Sequence, residues 1–313
     1  MIKKTDIIGI LAGGPSNERA ISLRSGEAVR KALNAEGYST VFIDCVGDVK
    51  SKIRDAGISV AFIALHGRFG EDGTVQAICE EVEIPYTGSG VEASRLALDK
   101  IASKEAFEDK GILVAGYKIC IDGQEADSSG LAFPVVVKPQ FEGSSIGLSI
   151  VEEEKDFEDA LKRAFEYGDK VIVEQYIKGR EITVGILNEE PLPVIQVLPC
   201  GRKFYDYEAK YKSPDTEYIV PALIDGESYR CAQDTALKAH TSLGCQGFSR
   251  VDMIIRDDGK IFVLEVNTIP GLTARSLLPK AAKEAGYEFG ELCVKLVELA
   301  LKEERLSLSK EQS

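Results

Sequence analysis

The apolar positions of this chain fall into short runs that predict strands, separated by stretches of helical period. The run DIIGIL at 6–11 predicts a buried strand. Leu23, Ala28, Val29, Ala32 and Leu33 then recur at helical spacing over about 22–36, with Gly37 just past the end. STVFID at 39–44 predicts a second strand and ISVAFIAL at 58–65 a third, so the opening stretch reads as βαβ units. Ligands of such sheets sit beyond the carboxyl ends of the strands. Two loops emerge there: AGGPSNER, carrying Glu18 and Arg19, and the glycine-rich HGRFGEDG at 66–73.

Further on, RLALDKIASKEAFEDK predicts one helix, YKICI a strand, and the polar segment DGQEADSSG the entry to a second, smaller unit. Its centre, FPVVVKPQFEGSSIGLSIV at 133–151, reads as strand, Gly/Ser loop, strand. A helix over about 154–167 and strands at 171–177 and 181–187 are expected to complete it. After residue 188 comes PLPVIQVLP. The polar, aromatic run GRKFYDYEAKYKSPDTEYIV follows without a clean period and reads as a long functional loop that orders on ligand binding. A helix over about 226–243, a hairpin, closing helices and a fraying polar tail end the chain. The expected organisation is α/β in three domains, 1–97, 98–187 and 188–313.

The hairpin FSRVDMIIRDDGKIFVLEVN carries the sharpest chemical signal. A two-residue turn at Asp258-Gly259 pairs residues whose numbers sum to 517, so Asp252 faces Glu265, Arg250 faces Asn267 and Ile254 faces Val263. The opposite face then carries Val251, Met253, Ile255, Phe262, Leu264 and Val266. Two facing carboxylates repel. Three things relieve that: a divalent cation, a nearby Lys or Arg, or a proton kept on one acid. Asp252, Glu265 and Asn267 form the all-oxygen set that suits Mg²⁺ shared with substrate phosphates.

Composition narrows the partners. With 38 basic and 51 acidic residues the net charge is −13, which argues against nucleic acid and anionic membrane. Any anionic ligand must therefore meet a local cluster of cations. Seven scattered cysteines without a Cys-x-x-Cys fit reduced thiols. No apolar run is long enough to span a bilayer, and the first apolar run reads as a strand and not as a signal peptide, so a cytoplasmic protein is expected. There is no P-loop motif, and Gly88-Ser89-Gly90-Val91-Glu92-Ala93 reads as a turn into a helix. Lys138, ending a strand beside the Gly/Ser loop, is a point-charge partner for phosphate. His66 reads either as a hydrogen-bonded structural residue or as part of a site, and His240 as structural.

GGPSNERAISLRSG, FIALHGRFGEDGTVQ, IPYTGSG, VKPQFEGSSIGLS, FYDYEAKY and RVD…EVNTIPGLT…SL occur in that order and together span nearly the whole chain. They resemble the motifs of D-alanine–D-alanine ligases, members of the ATP-grasp superfamily. The resemblance implies an α/β, three-domain ATP-grasp fold: an N-terminal parallel α/β domain, a central small α+β domain and a C-terminal α+β domain. It also implies formation of D-alanyl-D-alanine through an acyl phosphate, for peptidoglycan precursors.

By the same resemblance ATP is held by Lys100, Lys138, Ser145, Glu174, Tyr176, Ile177, Glu181, Phe204, Lys210 and Leu264. Two Mg²⁺, with Mn²⁺ as substitute, are held by Asp252, Glu265 and Asn267. Glu18 and His66 would take the first D-alanine, Ser144 and Tyr211 would join Glu18 in a hydrogen-bonded triad, Arg250 and Gly271 would stabilise the oxyanion, and Ser276 and Leu277 would hold the second carboxylate. A homodimer is implied as well. Related ligases that make D-Ala–D-Ser or D-Ala–D-lactate, and a non-catalytic nucleotide-binding relative, are the alternatives. Departures such as Ala20-Ile21 after Arg19, and Ser249 before Arg250, remove no charged site residue.

Overall fold

Strand β1 (Ile7–Ala12) is apolar at nearly every position because it is central in a three-stranded parallel sheet, between β2 (Ser39–Asp44) and β3 (Val60–Ile63). Helix α1 (Arg19–Ala35) buries Ile21, Ser25, Val29 and Leu33 along one face. It packs close to the sheet at Gly26, where an added Cβ would come within 2.5 Å of Ala12 and 3.0 Å of Phe42. The computed structural model describes residues 2–124, 130–199 and 216–311.

The second sheet is antiparallel, in the order β4 (Tyr117–Ile121), β7 (Lys170–Gln175), β5 (Val135–Pro139), β6 (Ser149–Val151). Between β6 and β7, helix α6 (Phe157–Phe165) packs Phe157, Ala160, Leu161 and Ala164 on one face of it, against Val135, Val137, Val171 and Val173. The alternate residues, among them Val136, Lys138 and Glu174, point the other way into a cleft.

The third sheet forms the far wall of that cleft. Its path runs β11 (Thr216–Ile219), β10 (Ile195–Pro199), β8 (Gly179–Leu187), β12 (Phe248–Arg256), β13 (Ile261–Asn267), with the two-residue β9 (Glu190–Pro191) on β8. Ile182, Val184, Ile186, Val251, Met253 and Ile255 form one core with Ala232, Ala236 and Ala239 of α7 (Gly226–Ser242). Helix α8 (Leu277–Glu284) packs near β8, and α9 (Phe289–Glu311) returns to α1. Leu292, Leu296 and Val297 therefore share a core with Ile8, Val29 and Phe62 of the first unit.

Three expectations change. The strand at 181–187 does not complete the central unit: β8 pairs along its whole length with β12, from Phe248↔Leu187 to Arg256↔Gly179. Period-2 alternation marks a strand but does not say which sheet recruits it. The single helix expected near 96–110 is two helices, α4 (Val91–Leu98) and α5 (Lys100–Asp109). Asp99 ends the first with an extended backbone and caps the second, accepting from the Ile101 and Ala102 amides at 3.0 and 3.1 Å. Ala97, Phe107 and Ile112 also join the α7 core rather than the central one.

The third change concerns the hairpin. Its turn has three residues, Asp257-Asp258-Gly259, closed by Gly259 N–H to Arg256 O at 2.9 Å, with Gly259 at φ 82°. Near the turn the pairs are Ile255↔Ile261, Ile254↔Phe262 and Met253↔Val263, so Ile254 does not face Val263. A bulge between Asp252 and Met253 then takes up one residue on the partner strand, Leu264. Beyond it the pairs are Asp252↔Glu265 and Arg250↔Asn267, as expected. The longer turn and the bulge offset each other at the end that carries the charges. The buried face is Val251, Met253, Ile255, Ile261, Val263 and Val266, while Leu264 turns to the cleft beside Glu265.

Candidate active site

A cavity of about 550 Å³ opens where the loops of the first sheet meet the ends of β12 and β13. Glu18, His66, Ser144, Arg250, Gly271, Ser276 and Leu277, drawn from separate stretches of chain, all line it. Ser144 and Ser145 sit at φ 50° and 59°, two consecutive non-glycine residues in the left-handed region, a conformation that costs roughly 1–3 kcal/mol each. This places the Ser144 hydroxyl to donate to the Glu18 carboxylate. Gly67 and Gly143 make room for that carboxylate: an added Cβ would stand 2.9 and 3.2 Å from Glu18 Oε2.

His66 is buried, with Nδ1 3.1 Å from the Ile269 carbonyl and Nε2 3.1 Å from Ser25 Oγ. The carbonyl accepts only, so Nδ1 carries the proton and Nε2 accepts from Ser25. Burial pushes the imidazole pKa down to about 4, helped by the Arg250 charge, and the ring is neutral at pH 7. His66 therefore pins the Ile269–Gly271 segment. Glu71, which lies in the glycine-rich loop at 66–73 but is not among the site residues expected from sequence, also lines the cavity and accepts from Gly67 N–H at 2.6 Å. Burial and the nearby Glu18 push its carboxyl up to about 8.

Ser276 immediately precedes α8, which leaves the Leu277 amide among the unbonded N–H groups of a helix start, a natural carboxylate site. Its hydroxyl lies 2.9 Å from Thr273 Oγ1, and Gly271 keeps the approach narrow, since an added Cβ would stand 3.0 Å from that hydroxyl.

A second space, a slot of about 170 Å³, lies between the central sheet and the hairpin. Val136, Ile150, Ile254 and Leu264 give it apolar walls suited to a flat ring, and Lys100, Lys138, Ser145, Glu174, Tyr176, Ile177 and Glu181 line it too. Glu174 is buried between Lys138 at 2.8 Å and Lys104 at 2.9 Å. Burial pushes its carboxyl up, but the two ammoniums together outweigh this and hold it at about 2. Lys104 is 1% exposed and is not among the residues expected from sequence; its signal there is the four-residue spacing from Lys100 on one face of α5. Lys100 donates to the Glu142 carbonyl, and burial lowers its pKa against the opposing pull of Glu265. Phe204, Lys210 and Tyr211, with the rest of the loop around them, lie outside the described residues.

The hairpin residues stand where the two spaces join: Glu265 and Gly143 line both. Arg250 holds Asp252 through two bonds, Nε–Oδ1 at 2.8 Å and Nη2–Oδ2 at 2.7 Å. Asp252 also accepts from Thr183 Oγ1 at 2.7 Å and Asn267 Nδ2 at 3.1 Å. Of the three ways to relieve the facing carboxylates, an arginine neighbour is thus present. Among the described residues no cluster of three His, Cys, Asp or Glu occurs, so a cation here would draw on two acids, one amide and its ligand. Two facing carboxylates and an amide oxygen still match a hard cation that shares its shell with phosphate. Taking it up requires Asp252 to release part of its present hydrogen bonding.

A slot walled by two antiparallel sheets and lined by both lysines and acids is that of the ATP-grasp architecture. A family profile described as "D-ala D-ala ligase C-terminus" matches residues 108–298, and one described as "D-ala D-ala ligase N-terminus" matches 46–89. The chain is 48% identical to the D-alanine–D-alanine ligase of Syntrophotalea carbinolica, over 93% of this chain and 94% of that one. It is 47% identical to that of Geobacter sulfurreducens, over 94% of each. A crystal structure of D-alanine–D-alanine ligase from Bacillus anthracis complexed with ATP superimposes with a TM-score of 0.87 at 31% identity, covering 97% of this chain and 100% of the other. This chain belongs to the D-alanine–D-alanine ligase family.

Proposed function

We propose that the protein joins two D-alanines into D-alanyl-D-alanine at the expense of ATP, with the slot as nucleotide site and the larger cavity as substrate site. The observation that carries this reading is their junction at Glu265 and Gly143, which sets a lysine-lined slot end to end with a carboxylate-binding cavity.

ATP lies with its base between the walls of Val136, Ile150, Ile254 and Leu264 and its phosphates toward Lys100 and Lys138. Tyr176, Ile177 and Glu181 bound the base and ribose, and Ser145 lies beside the phosphates. Asp252, Glu265 and Asn267 would hold two Mg²⁺, or Mn²⁺ in their place, which would supply positive charge to the phosphates. Lys210 and Phe204 complete the nucleotide site by family resemblance.

Glu18 takes the ammonium of the first D-alanine, whose carboxylate attacks the γ-phosphorus; the bond to the β,γ-bridging oxygen breaks, ADP leaves and an acyl phosphate forms. Leu277 N–H and Ser276 hold the carboxylate of the second. Its amine attacks the acyl carbonyl, and phosphate leaves the tetrahedral intermediate. Arg250 and the Gly271 N–H face the developing oxyanion, a task for donors fixed in advance in a dry site. Neutral His66 keeps the segment carrying Gly271 in place, while Ser144 and Tyr211 hold Glu18. Cytoplasmic placement, a homodimer and a role in peptidoglycan precursor supply belong to the same reading. No helix among the described residues is long and apolar enough to cross a membrane.

The test is phosphate release from Mg·ATP with D-alanine, with L-alanine, or with D-alanine plus D-serine or D-lactate, the products identified by mass. Dipeptide from D-alanine alone is the expected result. Turnover with mixed pairs only would move the second-substrate assignment to the neighbourhood of Tyr211, Ser276 and Leu277. ATP binding without turnover would leave a nucleotide-binding relative.

A further inference from the structure

Besides its main mouth, the site has a side opening of about 620 Å³ between the first-sheet loops and the central unit. Ser16, Glu18, Gly67, Arg68, Glu142 and Tyr167 line it, and Glu18 lines the main cavity as well, so the two spaces share that side chain as a wall. Arg68 ties its two lips together. Nη2 donates to the Tyr167 carbonyl at 3.1 Å, and Nε stands 3.5 Å from Glu142 Oε1. Glu142 is well placed to take that charge: its side chain is 13% exposed, and burial pushes its carboxyl pKa up while Arg68 and Lys100 pull it down. The Glu142 carbonyl in turn accepts from Lys100 in the nucleotide slot. One strut thus runs from the His66–Gly73 loop, across the opening, to a lysine that faces ATP.

We infer that Arg68 is a positioning residue that bars the side opening and keeps water from the acyl phosphate. The inference rests on the ligase reading above. Without the bar, water attacks the acyl carbonyl and the bond from that carbon to the phosphate oxygen breaks. D-alanine and phosphate are released, the water proton passing to solvent, so that ATP is spent and no peptide bond forms. Water exclusion is what site closure supplies to reactive intermediates.

The experiment measures phosphate released and D-alanyl-D-alanine formed in the same reaction, with Mg·ATP and saturating D-alanine, for wild type, Arg68→Ala and Arg68→Lys. Arg68 is about half exposed at 54%, so its replacement leaves the core untouched. Wild type is expected to give the two products at parity. R68A is expected to raise phosphate over dipeptide to about threefold or more, and R68K, which keeps a donor of the same charge, to fall between. A merely structural role would lower both products together. Parity in R68A, at whatever overall rate, would overturn the inference. Absence of dipeptide from the wild type would instead overturn the ligase reading.

Discussion

Two glutamates beside the two halves of the site behave in opposite ways. Glu174, in the slot, lies between two ammoniums and is held at about 2; Glu71, in the cavity, lies beside Glu18 and is pushed up to about 8. Burial pushes both carboxyls upward, so the difference is entirely one of neighbours. The slot is lined by Lys100 and Lys138, with Lys104 paired to Glu174, in a chain of net charge −13, which suits a polyphosphate. The cavity is lined by Glu18 and Glu71 beside a neutral His66, which suits an ammonium, and by Arg24, Arg250 and Arg275, which suit carboxylates.

Glu265, where the halves join, gives the largest test. Glu265→Gln is expected to cut turnover about 10³-fold while leaving the melting temperature near that of wild type. Retained turnover would remove the acid from the metal assignment.

Next in size is Lys104→Ala, which strips one of the two cations from buried Glu174. Breaking a buried pair costs about 3 kcal/mol or more, read as a lower midpoint in denaturant, and the KM for ATP should rise with it. An unchanged midpoint would mean that Lys138 alone satisfies Glu174.

A smaller effect is expected at the far end of the cavity. Ser276→Ala removes a hydroxyl beside the α8 start but keeps the Leu277 amide. The KM for D-alanine should rise about tenfold, near 1.4 kcal/mol, with kcat little changed. A fall in kcat at constant KM would assign the hydroxyl to the transition state.

A further test is of pH dependence. A carboxyl raised to about 8 from an ordinary 4.5 binds its proton more tightly in the folded state. Its contribution to stability is complete below about 4.5 and is lost as the pH rises through about 8. Glu71→Gln, which mimics the protonated acid, should match wild type near pH 4.5 and melt higher than wild type near pH 8.5. Glu174 has the opposite sign: its stabilisation is present above about 4.5 and is lost as pH falls toward 2.

Local pattern makes the strands, the βαβ start and the hairpin legible in the sequence. The pairing of Asp252 with Glu265 emerges although the turn is one residue longer than the pattern suggests, because the bulge at Leu264 restores the count. The sheet that β8 joins is not legible, since alternation records burial on two faces and not the identity of the neighbour. Lys104 escapes for a related reason: its partner, Glu174, stands on another element 70 residues on, and nothing local marks a lysine as buried. The meeting of Glu18 with Ser144, 126 residues apart, is available only through family resemblance. Composition asks for a local cluster of cations to meet any anionic ligand, and Lys100 and Lys138 both line the slot.

The bulge on β13 has a consequence for nucleotide choice. In a regular strand Leu264 and Glu265 would look to opposite sides; here both enter the cleft, so in the proposed nucleotide placement the residue under the base and the acid at the phosphates share one peptide unit. On that placement, a base that sits badly on Leu264 is expected to tilt the unit that carries Glu265. Discrimination among purines should therefore be expressed in how fast a bound nucleotide reacts, more than in how tightly it is held.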